Sequence, residues 1–255
     1  VLGPRINAGG RVGKCSHGAN LLLSKNPKEI FKIASELEIF NTERKIIENE
    51  MLKKIYSSIN VRENEPVIVL SGHNWHGGII GIVASRLKEK YNKPAVIISF
   101  SNGLGKASAR SIFGFDIGTV ILSAVQKKIL VKGGGHKMAG GFTIKEDKID
   151  EFKEYINKCF LKVEKKIKKN DQLFFDSIIS PSALNETFYS EINSLSPFGS
   201  GNPEPKFVIE NLNLLKSSIV GDKHIKSLFR ASDGSVVKSV TFNAVKTELE
   251  SYLFT

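Results

Sequence analysis

Cysteine is nearly absent from this 255-residue sequence, which has only Cys15 and Cys159. Two cysteines so far apart form no disulfide framework and no zinc spacing, and they suit a reducing cytoplasm. Aspartate is also thin. The aspartates stand singly at 116, 147, 150, 171, 176, 222 and 233, the nearest pair being Asp147 and Asp150. No Asp-x-Asp or Asp-His-His occurs, and His73 and His76 have no carboxylate neighbours. A hard-metal phosphodiesterase centre needs clustered carboxylates, so the sequence is expected to supply no metal ligands. No apolar run reaches transmembrane length. The first residues, Val1-Leu2-Gly3-Pro4-Arg5, lack the apolar core of a signal peptide. No membrane partner is expected. The sequence enters without Met directly on a motif, which suggests a chain that starts inside a longer protein.

Positive charge is in excess. There are 37 Lys and Arg against 26 Asp and Glu, a net charge of +11. That balance points to an anionic partner, most often nucleic acid. The Lys-Ile-Asn richness of an AT-rich genome produces the same balance, and composition does not separate the two. Hydrophobic residues make up 41%, enough for a buried core and too many for wholesale disorder.

Lys132-Gly133-Gly134-Gly135-His136-Lys137-Met138-Ala139-Gly140-Gly141 is the most informative stretch, with five glycines in nine residues from Gly133 to Gly141. Glycines let backbone N–H groups approach a ligand, and consecutive N–H groups form an anion-binding nest. His136 could donate to a phosphate oxygen or a leaving group, and Lys137 adds charge. The segment reads as a phosphate-handling loop; a tight turn needs fewer glycines. In Ser108-Ala109-Arg110-Ser111, an extended backbone puts Ser108 and Arg110 on one face. Arginine grips phosphate bidentately, and serine adds a donor. Arg5, Asn7 and Arg11 lie in a glycine-punctuated N-terminal stretch, where they suit a phosphodiester backbone or anchor the loop itself. Trp75, the sole tryptophan, and His76 follow a short strand. Trp75 stacks on a base or packs between lobes, and packing is the more ordinary role.

Along the chain, residues 1–18 read as a Gly-rich loop, with a short helix to Leu23. Asn26 as cap, Pro27 at the first position and Glu29 completing a capping box predict a helix start. Apolar residues at 30, 34, 37, 40, 47, 51 and 55 carry that helix to about Asn60, with Arg44 breaking the stripe. Strands at Pro66–Leu70 and Pro94–Phe100, a helix over Ile79–Lys90, an Asn102-Gly103 hairpin turn and a helix over Asp116–Leu130 give an α/β domain of about 61–145. A helix from Asp147 carries Ile149, Phe152, Ile156, Phe160, Val163 and Ile167, and Asn170-Asp171 marks a boundary. The remainder reads as mostly β, with a rigid loop at Pro197–Pro205, strands at Phe207–Ile209, His224–Ala231 and Val236–Asn243, and an Asp233-Gly234 turn. Lys226 and Arg230 share one face of the second strand. That face fits single-strand binding or is an ordinary polar exterior.

Taken together, these motifs resemble the RecJ family of single-strand-specific exonucleases, in the DHH phosphoesterase superfamily. Gly3-Pro4-Arg5-Ile6-Asn7-Ala8-Gly9-Gly10-Arg11 resembles the last motif of that family's catalytic lobe. Ile80-Gly81-Ile82-Val83-Ala84-Ser85-Arg86-Leu87, Ser108–Ser111 and Gly133–Phe142 resemble its DHH-associated domain, and Pro197–Pro205 the entry to its OB-like domain. The implied architecture is a catalytic-lobe tail at 1–25, a connecting helix at 26–60, an α/β DHH-associated domain with mixed sheet and flanking helices at 61–170, and a β-rich, incomplete OB-like domain at 171–255.

The resemblance implies 5′→3′ exonuclease action on single-stranded DNA in recombination and repair. Two Mn2+ or Mg2+ ions serve the family, on ligands this sequence lacks, so the chain alone is expected to be inactive. By motif, Ser108 and Arg110 match the pocket for the 5′-terminal phosphate. Ser111, Gly133, Gly134, Gly135 and Lys137 join them as substrate-binding candidates. His136 is the catalytic candidate facing the scissile phosphate. Arg5, Asn7 and Arg11 hold the backbone, Trp75 and His76 lie near the cleft, and Lys226 and Arg230 contact the strand. A non-catalytic single-strand binder and a DHH phosphoesterase of short oligonucleotides are the alternatives.

Overall fold

A computed structural model describes residues 2–58, 65–165, 167, 173–199 and 201–254. The expected helix end near Asn60, the domain start at 61, the boundary at Asn170-Asp171 and Ser200 of the rigid loop lie outside the described residues. The chain divides into two compact units, residues 1–169 and 170–255.

The first unit begins with three helices: α1 (Leu2–Val12), α2 (His17–Leu23) and α3 (Pro27–Ser58). The segment expected to be a loop is therefore mostly helix, and tertiary packing is the reason. Pro4 falls in the first turn, where a missing N–H costs little. The glycines let α1 approach its neighbours: a Cβ on Gly9 would lie 2.8 Å from the Lys14 carbonyl oxygen and 3.2 Å from Leu37. Gly18 similarly admits Ile6, and Gly13 admits the Phe40 ring. Asn26 caps α3 by accepting from the Lys28 N–H at 3.0 Å. Glu29 does not complete a box with Asn26; it accepts from the Ser24 hydroxyl at 2.7 Å. Helix α3 has 32 residues, about 48 Å at 1.5 Å per residue.

A five-stranded sheet follows, with α4 and α5 within it: β1 (Ile68–His73), α4 (Ile80–Tyr91), β2 (Ala95–Ser101), β3 (Leu104–Arg110), α5 (Ile117–Gln126), β4 (Lys132–His136) and β5 (Ala139–Lys145). The spatial order is β1-β2-β3-β5-β4. Strands β1 and β2 pair in parallel across the α4 crossover, and the other pairs are antiparallel. Asn102 and Gly103, both at positive φ, turn β2 into β3. A 3-10 turn then leads to α6 (Ile149–Glu164).

Alternation sorts the sheet into two faces. Val96, Ile98, Phe100, Ala107, Ala109, Phe142 and Ile144 pack against α5 and α6. Ala95 and Ile97 pack against α4 and the end of α3. Among the described residues, that second cluster takes nothing from β5 or β4, so these strands leave one face open.

The second unit holds β6 (Ser177–Ile178), α7 (Glu186–Ser194), β7 (Phe207–Val208), β8 (Asn213–Val220), β9 (His224–Arg230), β10 (Val236–Thr241) and α8 (Glu248–Leu253). Strands β8, β9 and β10 form an antiparallel sheet, with Gly234 at positive φ in the β9–β10 turn. Strands β6 and β8 and the two helices are not among the elements expected from the sequence.

Phe152 is fully buried with its ring centroid 4.7 Å from that of Phe142. Phe152→Ala is expected to lower unfolding stability by about 3–5 kcal/mol, measured by urea denaturation.

Candidate nucleic-acid interface

Strand β3 presents Lys106, Ser108 and Arg110 on the face away from the α5–α6 core, while Ala107 and Ala109 point into that core. Antiparallel partners lie opposite one another and share a face. The register therefore builds three rows across the sheet: Lys106–Thr143–Lys132, Ser108–Gly141–Gly134 and Arg110–Ala139–His136. None of these nine residues is buried. Strand spacing puts His136 roughly 10 Å from Arg110, two strands away.

The Gly-Gly-Gly-His segment is an edge strand rather than a loop. No residue of 133–141 is at positive φ among the described residues, so the expected αR–αL anion nest does not form there. Packing accounts for three of the glycines. A Cβ on Gly133 would lie 2.6 Å from that of Phe142 and 2.8 Å from Ile121; on Gly135, 2.4 Å from the Ala139 carbonyl oxygen; on Gly140, 2.4 Å from Ile121. Gly134 has nothing within 4 Å of such a Cβ, and Gly141 meets only the Ala107 carbonyl oxygen at 3.4 Å. These last two are the glycines of the Ser108 row, where a side chain would project onto the open face. His136 Nδ1 accepts from the Met138 N–H at 3.3 Å, which leaves Nε2 as the outward donor of the neutral ring. Lys137 lies exposed in the β4–β5 turn, and its carbonyl accepts from the Ile117 N–H at 3.3 Å.

At the β3 side of this face lies a cleft of about 570 Å³. Asn7 and Arg11 from α1 and Ser108 and Arg110 from β3 all line it. Four candidates separated by a hundred residues thus meet in one place. Close backbone approach builds the cleft. A Cβ on Gly78 would lie 2.2 Å from the Arg11 carbonyl oxygen, and Arg11 Nη1 donates to the Gly78 carbonyl at 3.2 Å. A Cβ on Gly81 would lie 3.0 Å from the Ser108 hydroxyl and 3.1 Å from Arg110 Nη2, so the first turn of α4 rests on the pair. Arg110 Nη1 donates to Ser108 at 3.1 Å and to the Ala109 carbonyl at 2.8 Å. Burial first, and then the nearby Arg11 charge, push the Arg110 guanidinium below its ordinary value. Among the described residues, no carboxylate pairs with Arg110 or Arg11.

Other candidates stand elsewhere. Arg5 pairs with Glu38 on α3, and its hydrogen bond holds the Glu38 carboxyl below the usual range. It ties α1 to α3 and is not in the wall of the cleft. Ser111 is a correction: it is 1% exposed and donates to the Phe115 carbonyl at 2.6 Å, because the chain leaves β3 and turns into the core there. Trp75 packs against Gly72 and the α4 cluster. His76 accepts from the Gly78 N–H through Nδ1 at 3.2 Å, and its carbonyl takes the Ile79 and Ile80 N–H groups at the start of α4. In the second unit, Lys226 and Arg230 share a face of β9 with Leu228, and the register adds Lys216 and Lys238 on either side of Leu228.

Lys106, Gly10, Gly77, Gly78 and Gly81 line the cleft and were not singled out from sequence. Strand alternation alone points to Lys106, two residues before Ser108. Among the described residues, no group of three or more His, Cys, Asp or Glu side chains gathers. No described helix is long and apolar enough to cross a membrane.

Residues 64–162 match the DHHA1 domain model and residues 175–253 the RecJ OB domain model. The chain is 30% identical over 252 residues to the single-stranded-DNA-specific exonuclease RecJ of Escherichia coli K12, covering 95% of this chain and 44% of that protein. It is 29% identical to the RecJ of Bacillus subtilis strain 168, covering 98% of this chain and 32% of that protein. The crystal structure of Thermus thermophilus RecJ in complex with Mn2+ superposes with a TM-score of 0.77 at 28% identity, covering 93% of this chain and 35% of that one. The chain carries the DHHA1 and RecJ OB domains and is similar to these RecJ exonucleases over nearly all of its own length. It spans less than half the length of these RecJ relatives. The paired DHHA1 and RecJ OB matches accompany the mixed sheet of the first unit and the antiparallel sheet of the second.

Gly133→Ala and Gly140→Ala are expected to cost about 1–3 kcal/mol through overpacking. Gly134→Ala should melt within a degree or two of wild type, as measured by thermal denaturation.

Proposed function

We propose that this chain is the 5′-end-binding part of a single-stranded-DNA exonuclease acting in recombination and repair. Its open β3–β5–β4 face and adjoining cleft receive the 5′ phosphate and the first stretch of the backbone. The observation that carries this reading is the pair Arg110 and Arg11. Two like charges stand close together, one half-buried, with no carboxylate for either among the described residues. A terminal phosphate relieves that repulsion, and guanidinium with hydroxyl suits its oxygens. Arg110 and Ser108 take the phosphate, Arg11 and Asn7 flank it, and Lys106 and Lys132 line one side of the glycine row along which a backbone can lie.

His136 closes the far end of the Arg110 row with Nε2 outward, positioned to donate to a phosphate oxygen. The RecJ of Thermus thermophilus crystallises in complex with Mn2+ and with Mg2+, and divalent ions are proposed for the whole enzyme. Among the described residues no side-chain cluster gathers that would hold such ions, and the part we assign to this chain is to bind and orient the strand end. The Lys216, Lys226, Lys238 and Arg230 face of the second unit offers four cations around Leu228, a surface suited to phosphates and stacked bases.

Arg110→Ala is expected to weaken binding of 5′-phosphorylated oligothymidylate about 10- to 100-fold, and of the 5′-hydroxyl strand much less, in fluorescence anisotropy. Equal losses on both strands contradict the assignment. The purified chain with Mn2+ is expected to bind but not shorten labelled single strands; measurable degradation overturns that.

A further inference from the structure

A second cavity of about 370 Å³ adjoins the first and shares Asn7 and Arg11 with it. Arg44 and Arg86 complete its polar wall, with Gly3 and Ile82 beside them. Three arginines therefore line one small space whose lining holds no carboxylate. The nearest anion, Glu48, is 7% exposed and lies in the second layer. Its two oxygens are divided, one accepting from Arg44 at 2.6 Å and the other from Arg86 at 3.2 Å. Arg44 is further fixed on buried Asn41 at 3.2 Å, and Arg86 reaches Glu89 at 3.4 Å on the exposed side.

One buried carboxylate needs one arginine for neutrality. Exposed Glu89 meets the second arginine only across a solvent-screened 3.4 Å contact, Arg11 has no carboxylate partner among the described residues, and Glu48 holds both of its own partners rigid. The hydrogen bond to Glu48 pushes the Arg86 guanidinium above its ordinary value. Two neighbouring cation-lined cavities that share a wall match a ligand carrying anions in series. A mononucleotide has one phosphate group and fills one of them; a strand fills both.

We propose that Arg86, Arg44 and Arg11 form a second phosphate subsite for an internucleotide phosphodiester of the strand whose 5′ phosphate sits at Ser108 and Arg110. The subsite makes binding depend on strand length as well as on the terminal phosphate. This rests on the 5′-phosphate reading above but is tested by a different atom of the ligand.

The test uses the full chain, 5′-phosphorylated oligothymidylate, and the same oligomer with the first or second internucleotide linkage replaced by uncharged methylphosphonate. Arg86→Gln retains a donor toward Glu48 and should bind the charged oligomer about tenfold more weakly. Its log–log salt slope should be shallower by about 0.7, the increment for one single-strand phosphate contact. One of the two methylphosphonate oligomers should cost wild type a similar factor and cost Arg86→Gln nothing further. Arg86→Lys should restore the slope, which separates charge from a folding defect. Unchanged affinity and slope in Arg86→Gln overturn the proposal, as do losses that multiply for both neutral linkages. Failure of the 5′-phosphate assignment shows separately, as an Arg110→Ala effect that ignores removal of the terminal phosphate.

Discussion

The first unit depends on a repulsion that its own described side chains do not relieve. Arg110 is half-buried at the end of β3, Arg11 faces it from α1, and the first turn of α4 presses on both Arg110 and Ser108 through Gly81. Desolvating a guanidinium beside another costs free energy unless an anion shares the space. The surrounding packing forces this arrangement: Gly78 fits under the backbone of Arg11, and Ala107 and Ala109 hold the register of β3. A fold that holds two cations with no carboxylate partner among the described residues is what the proposed phosphate site rests on.

The sheet extends that local constraint into a surface. Because α4 and α3 cover only the β1–β2–β3 side, the last two strands keep a bare face, and cross-strand register sets Ser108, Gly141 and Gly134 in line. The five glycines of the motif serve two purposes. Gly133, Gly135 and Gly140 admit α5 and the tight β4–β5 pairing; Gly134 and Gly141 leave room above the sheet. One short sequence thus serves packing on one face and access on the other, as strand alternation requires.

Much of this was legible in the sequence where the signal is local. Asn26 and Pro27 started α3, Asn102-Gly103 and Asp233-Gly234 turned hairpins, and alternation put Ser108 with Arg110. What failed depends on distant contacts. Glycine-rich residues 1–18 look flexible by propensity, yet Gly9, Gly13 and Gly18 are what let α1 and α2 dock on their neighbours. The Gly-Gly-Gly-His segment carries no strand propensity and becomes a strand by pairing with β5. Arg5 and Ser111 share the residue types of true cleft residues, and only their partners, Glu38 and the Phe115 carbonyl, separate them from Arg11 and Ser108. Lys106 was readable by the same alternation that placed Ser108.

The central claim is that a phosphate-bearing strand end lies on the β3–β5–β4 face beside α1. An amide chemical-shift titration of the 15N-labelled chain with a 5′-phosphorylated single strand tests it most directly. The account predicts saturable shifts at Arg11, Gly78, Gly81, Ser108, Arg110, Gly134 and Gly141, with the α5–α6 side unmoved. Shifts confined to α5 and α6, or to the second unit alone, would contradict it.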